Sequence, residues 1–159
     1  MEERIFLGGG CFWGVQHYLN QIEGVISTSV GFMGGITKNP TYHEVCTKNT
    51  GHIEVVEVVY DANRVTEETI LKMFFEIHDP TTFNRQGPDV GVQYRSVIFY
   101  TTEKQKIVAL NLIDILNQKF KVVTQVLEAV EYFQAESYHQ DYYLKNGKEP
   151  YCHFYVKKF

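Results

Sequence analysis

Three residues with the chemistry of nucleophiles, Cys11, Cys46 and Cys152, lie far apart in the chain, and the first stands in unusual company. The stretch Gly8-Gly9-Gly10-Cys11-Phe12-Trp13-Gly14 sets a thiol between a glycine run and two large aromatics. Residues 4–7 read as a short buried strand and residues 15–20 as the continuation of a helix, so Cys11 falls where a strand hands over to a helix. There the unpaired N–H groups and the positive end of the helix dipole stabilise a thiolate and lower the thiol pKa. A lone cysteine among apolar residues is otherwise an inert small hydrophobe. Three successive glycines weaken any strand or helix they occupy, which points to a backbone with a role beyond connection. The stretch is not a nucleotide loop. Trp13 stands where the dinucleotide pattern needs its third glycine, and no Gly-Lys-Ser/Thr follows.

The elements that must position this thiol can be traced along the chain. Residues 25–33 alternate as a strand that ends at Gly34-Gly35. The polar segment 36–51, which holds Tyr42 and Cys46 and has room for one helical turn, is long for a connector, as functional loops tend to be. Residues 53–60 are apolar on both phases and suit a central strand covered on both faces. Glu54 is its oddity: it shares a side with Val56, Val58 and Tyr60, and by position alone reads as a solvated strand-end carboxylate. Thr66 caps a helix that buries Ile70, Met73, Phe74 and Ile77 and stops at His78-Asp79-Pro80. A second long loop, 81–94, precedes a strand at 95–100. Thr102 and Gln105 form a capping box for a helix to about Gln118, with Ile107, Leu110, Ile113 and Leu116 as its core positions. Residues 126–130 read as a further strand, before a tyrosine-rich, irregular C-terminal tail. This order predicts an α+β two-layer sandwich of ferredoxin-like type, with helices packed on a mainly antiparallel sheet.

Composition narrows the class. With 159 residues, 44% of them apolar, the chain is expected to form one domain over 1–159. A net charge of −4 with scattered lysines offers no basic face for nucleic acid. Residues 1–4 do not resemble a signal peptide, and no apolar run reaches the ~20 residues that cross a bilayer, so the expectation is a cytoplasmic protein without a membrane partner. An odd number of distant cysteines suits thiols rather than staples. Without a Cys-x-x-Cys or paired histidines at i, i+4, no local metal site is expected.

Several motifs in order resemble the A-type peptide methionine sulfoxide reductases, nearly end to end. They are Gly10-Cys11-Phe12-Trp13-Gly14, Gly31-Phe32-Met33-Gly34-Gly35, Asn39-Pro40-Thr41-Tyr42-His43-Glu44-Val45-Cys46, Gly51-His52-Ile53-Glu54, His78-Asp79-Pro80, Asp89-x-Gly91-x-Gln93-Tyr94-Arg95-Ser96 and His139-Gln140-x-Tyr142. The resemblance implies that Cys11 is the nucleophile and Glu54 the proton donor to the sulfoxide oxygen, reversing the positional reading of Glu54. It implies that the Tyr42 and Tyr94 hydroxyls hold that oxygen, that Asp89 orients the site, and that Phe12 and Trp13 receive the substrate methyl group. The implied substrate is methionine-S-sulfoxide, free or in oxidised proteins and peptides. A sulfoxide sulfur becomes electrophilic only as its oxygen takes a proton, so such a site needs a protonated carboxyl and hydroxyl donors; burial can raise a glutamate pKa for that task.

Substitution at sulfur leaves a sulfenic acid, which a second thiol can condense to a disulfide for thioredoxin to reduce. Dithiothreitol can serve in its place, and no cofactor is expected. Two thiols are available for resolution. Cys46 lies beside the Tyr42 segment and reads as structural, whereas Cys152 lies in a tail that is cheap to move, so Cys152 is the expected resolving thiol. A relay through two tail cysteines is not available here. The chain is expected to act as a monomer in oxidative damage repair. Two competing readings use the same residues. A cysteine hydrolase or acyltransferase would need a histidine base from among His17, His43, His52 and His153, and a non-catalytic module binding methionine peptides would need neither Glu54 nor Cys152.

Overall fold

In chain order the elements are β1 (Glu2–Gly8), α1 (Phe12–Leu19), β2 (Val25–Met33), α2 (Tyr42–Thr47), β3 (Ile53–Asp61), α3 (Glu67–Ile77), the short strands β4 (Arg85–Gln86) and β5 (Asp89–Val90), β6 (Val97–Tyr100), α4 (Glu103–Leu116), β7 (Gln125–Glu128), β8 (Tyr132–Gln134) and α5 (Tyr142–Asn146). Single 3-10 turns occupy Val92–Tyr94 and Ser137–His139. This computed structural model describes every residue except Lys48, Lys148, Glu149, Tyr151 and Cys152.

Six strands form one sheet in the order β7-β6-β1-β3-β2-β8, and β4 pairs with β5 as a separate hairpin. Every pairing in the large sheet is antiparallel except β6 with β7. The fold is thus mixed α+β, with a mainly antiparallel sheet. The alternation of side chains along each strand divides the apolar residues between two faces. Ile5, Leu7, Val56, Val58 and Tyr60 face the main core with Phe12, Leu19, Phe74 and Phe75 from the helices. Phe6, Met33, Ile53, Val55, Val97 and Phe99 form a smaller cluster on the opposite face, with Ala129 and Tyr132 packed against it. Each large side chain so buried stabilises the fold by about 1.5–3 kcal/mol. β3 is therefore covered on both faces at its start, while Glu57 farther along meets Arg4 at 3.3 Å.

The capping residues act where the sequence places them. Thr66 accepts the Thr69 amide, and Thr102 with Gln105 forms the reciprocal capping box. Expected buried positions shift on two helices. Met73 on α3 is only partly buried, and Leu71 and Phe75 fill the core beside Phe74. On α4 the buried face is Gln105, Ala109, Leu112 and Leu116, whereas Ile107 and Leu110 are exposed. Gln105 explains the rotation: its Nε2 donates to the Arg4 carbonyl at 2.9 Å and to the Tyr60 hydroxyl at 3.0 Å, so residue 105 must point inward and the i+4, i+7 and i+11 positions follow. β8, the β4–β5 hairpin and α5 are additions to the expected element list, and residues 153–159 carry no regular secondary structure.

Candidate active site

The turn from β1 into α1 is set by Gly10, whose φ of +94° is a conformation that disfavours a side chain. Cys11 is the N-cap residue of α1, and its carbonyl accepts the Gly14 and Val15 amides at 3.2 and 3.4 Å. The side chain is buried and the thiol is not in a disulfide. The next amide, that of Phe12, donates to Glu54 Oε1 at 3.1 Å. Glu54 is 1% exposed, lying inward with Val56, Val58 and Tyr60 as the strand period requires. The carboxyl is thus a buried group at the helix start that bears the thiol, and the solvated reading of Glu54 does not hold.

Two phenols come from segments with little regular structure. Thr41 and Glu44 cap α2 reciprocally, with the Glu44 amide on Thr41 Oγ1 at 3.1 Å and the Thr41 amide on Glu44 Oε1 at 3.0 Å. This cap sets Tyr42 at the first helical position, where its amide donates to Glu136 at 3.3 Å. Tyr94 ends the 3-10 turn 92–94, behind a hairpin in which Asp89 pairs with Gln86. Gln86 is itself buried, accepting the Asp79 amide at 2.9 Å. Burial pushes both hydroxyls above the ordinary tyrosine pKa, and the carboxylate of Glu54 beside each pushes in the same direction. Asp89 and Cys11 also act on Tyr94. The two phenols therefore remain hydrogen-bond donors throughout the neutral and mildly alkaline range.

Cys46 belongs to this group, which the sequence alone did not reveal. It follows Tyr42 by four residues on α2 and so shares its face, and the Tyr42 and Tyr94 hydroxyls both lie near enough to act on its thiol. Burial raises its pKa, and Glu54 and Asp89 add to the rise, against the lowering effect of the two hydroxyl donors. Cys46 stays a thiol at neutral pH.

The wall of the site is aromatic. Phe12 stands 6.5 Å from Trp13 and 6.0 Å from Tyr42, and Trp13 stacks on Tyr42 at 5.9 Å. Behind Trp13, Tyr142 stacks at 3.9 Å and 11°. Trp13 Nε1 donates to His139 Nδ1 at 3.2 Å, which fixes the neutral imidazole with its proton on Nε2. Burial lowers the His139 pKa in keeping with that state. Gln140 anchors this segment on β2, accepting the Val30 amide at 2.8 Å and donating to the Val30 carbonyl at 2.9 Å. His139-Gln140-x-Tyr142 was visible as a motif, but its task of bracing Trp13 emerges only in three dimensions.

Cys11, Phe12, Trp13, Tyr42, Glu54, Asp89 and Tyr94 therefore converge, joined by Cys46. Cys152 lies outside the described residues. Among the histidines that a hydrolase would need as base, His17 is half-buried beside Gln21, and His52 is used to clip the 35–37 loop through Gly35 N and Thr37 O. Among the described residues no three His, Cys, Asp or Glu side chains gather as a metal cage, and no helix is long and apolar enough to cross a membrane.

Fold and site together define an α+β thiol enzyme, with an acid and two phenols set around one buried cysteine. The family model for peptide methionine sulfoxide reductase matches residues 3–159. The peptide methionine sulfoxide reductase MsrA of Sulfolobus acidocaldarius is 48% identical over 159 residues, covering 96% of this chain and 90% of its own. The reduced form of Mxr1 from Saccharomyces cerevisiae superposes with a TM-score of 0.91 at 32% identity, covering 97% of this chain and 92% of that one. Methionine sulfoxide reductase A of Corynebacterium diphtheriae gives 0.88 at 41% identity, covering 95% and 77%. The chain belongs to the peptide methionine sulfoxide reductase family. Mxr1 has also been solved in complex with Trx2, in a form that shares the fold at a TM-score of 0.66 and 21% identity, covering 97% of this chain and 89% of that one.

Proposed function

We propose that this protein reduces methionine-S-sulfoxide, free or peptide-bound, to methionine through Cys11. The observation that carries this reading is the Glu54–Phe12 hydrogen bond, which couples a buried carboxyl to the helix start that Cys11 caps. One carboxyl oxygen is committed to the amide, and the other carries the proton delivered to the sulfoxide oxygen. Tyr42 and Tyr94 present their hydroxyls to that oxygen, and Asp89 orients the site. Trp13 and Phe12 receive the methyl group. Hydroxyl donors and an acid placed at the developing S–OH lower the barrier for attack by the thiolate. The Cys11 sulfur then bonds to the substrate sulfur. Departure of methionine, with transfer of the oxygen, leaves Cys11 as a sulfenic acid and the substrate reduced by two electrons.

Cys152 resolves the sulfenic acid to a disulfide, which thioredoxin reduces by exchange. The Trx2 complex of yeast Mxr1 supports that partner. The raised pKa of Cys46 counts against it as the resolving thiol, because the thiolate is the attacking form. The same reading takes residues 1–159 as one cytoplasmic, monomeric domain that needs no cofactor beyond its reductant. The core order β6-β1-β3-β2, with α1 and α3 following its first and third strands in the chain, supports the ferredoxin-like description of the sheet. Incubation with each epimer of a methionine sulfoxide peptide and dithiothreitol tests the activity. Reduction of the S epimer is expected, and reduction of neither overturns the reading.

A further inference from the structure

Beyond Cys152 the chain is pinned to the nucleophile loop. His153 is 2% exposed, and its Nε2 donates to the Gly9 carbonyl at 2.7 Å. Its own carbonyl accepts the Tyr18 hydroxyl at 3.3 Å, so one residue ties the C-terminal segment both to the turn before Cys11 and to the helix after it. Glycine makes the space. A Cβ on Gly14 would lie 2.2 Å from His153 Nδ1, and one on Gly10 would lie 3.2 Å from Nε2. Any side chain at Gly14 would displace the imidazole, so the glycines that flank Cys11 serve as the socket for this ring.

A buried histidine is commonly just a satisfied core residue, and two features separate His153 from that case. Its hydrogen bond goes to the loop of the nucleophile, and the residue before it in the chain is the candidate resolving thiol, Cys152. The terminus also has its own fastening on α3: the Val156 amide donates to the Glu76 carbonyl at 2.8 Å, the Lys158 amide to Glu76 Oε2 at 2.9 Å, and Lys158 Nζ to the His78 carbonyl at 3.2 Å. Docking of the last residues therefore does not depend on His153.

We propose that His153 is a positioning residue for the resolving step, holding the chain beside Cys11 so that the thiol of the adjoining residue reaches the sulfenic acid. This rests on the reading of Cys152 as the resolving thiol. Successive Cα atoms are ~3.8 Å apart, and a disulfide needs its two Cα atoms within ~7 Å. A thiol one residue from an anchor in the nucleophile loop thus searches a far smaller volume than one on an untethered tail. In the step itself the Cys152 sulfur attacks the Cys11 sulfur. The S–S bond forms, the S–O bond breaks, and the hydroxide leaves with the thiol proton as water. The dithiol of thioredoxin later supplies the two electrons that reopen the disulfide.

The test compares full-length His153→Ala, Tyr18→Phe and Cys152→Ser with the wild type. Methionine released without reductant, the lifetime of the sulfenic acid under capture by a cyclic 1,3-dione, and turnover with thioredoxin and with dithiothreitol are measured. His153→Ala is expected to release methionine normally, to prolong the sulfenic acid, and to lose roughly 10–100-fold in thioredoxin-supported turnover, the usual scale of a misplaced reacting group. Dithiothreitol, which attacks the sulfenic acid directly, supports it normally. Tyr18→Phe, which removes only the outer clip, shows the same split in smaller measure and decides the matter alone if His153→Ala does not fold. Equal losses with both reductants, or no loss with either, overturn the positioning role. Continued thioredoxin-supported turnover by Cys152→Ser instead overturns the resolving-thiol reading on which it rests.

Discussion

Glu54 Oε1 accepts the Phe12 amide at 3.1 Å, so the acid is fixed to the first turn of the helix whose N-cap is Cys11. One hydrogen bond thereby ties the proposed proton donor to the helix start that carries the proposed nucleophile. The arrangement also uses a helix-start N–H that would otherwise lack an intrahelical partner.

Glu54→Gln tests the acid. An amide preserves the hydrogen bond to Phe12 but cannot deliver a proton, so the single-turnover rate at neutral pH should fall about 10²–10⁴-fold. Burial holds the Tyr42 and Tyr94 hydroxyls above their usual range, so neither ionises at the neutral pH of the comparison. An unchanged neutral rate counts against the acid role.

Trp13→Ala removes the aromatic wall together with its contacts to Tyr42, His139 and Tyr142. KM for a sulfoxide peptide should rise about tenfold, equivalent to about 1.4 kcal/mol of lost apolar contact. Trp13→Phe should recover part of it. Steady-state kinetics that leave KM unmoved in both variants would make the ring purely structural.

Most of this architecture was legible in the sequence, because period, caps and turn residues agree there. Residues 25–33 alternate and form β2, and Thr66 and Thr102 mark their helices correctly. The helix-start placement of Cys11 was legible from glycine and apolar spacing alone. The burial of Glu54 was not, since a strand period says which face a residue shares but not whether that face is covered at its end. The α4 phase went astray because Gln105, a polar residue, directs the rotation through distant Arg4 and Tyr60. Cys46 and His153 escaped for a related reason: their partners lie in segments remote in sequence, and nothing local marks the contact.

Cys46→Ser keeps a small polar group near the Tyr42 and Tyr94 hydroxyls. Thioredoxin-supported kcat/KM should change by less than about 1 kcal/mol, the scale of one neutral hydrogen bond. Loss of that turnover, combined with its retention in Cys152→Ser, would transfer the resolving role to Cys46.

His78 gives a pH test of stability. Its Nδ1 donates to the Phe74 carbonyl at 2.5 Å, so the neutral ring accepts the Ser96 hydroxyl at Nε2, 2.7 Å away. Burial is the main cause that lowers its pKa to about 3, with the Phe74 bond and Asp79 opposing the shift. The unfolded chain takes up this proton below about pH 6.5 while the folded chain resists, so stability is full above that pH and declines toward pH 3. From pH 6.5 to 5 the loss from this group is about 2 kcal/mol. Urea unfolding across that range should show the decline in the wild type and a shallower one in His78→Gln. Equal slopes would remove His78 from the account.

The most direct measurement is a single turnover without reductant, in which methionine is counted against enzyme for each sulfoxide epimer. The wild type should yield about one equivalent of methionine from the S epimer and none from the R epimer, leaving a sulfenic acid or a disulfide on Cys11. Cys11→Ser should yield none, since a serine hydroxyl is far less nucleophilic than a thiolate. Methionine released by Cys11→Ser at the wild-type rate would contradict the central claim and place the active thiol elsewhere.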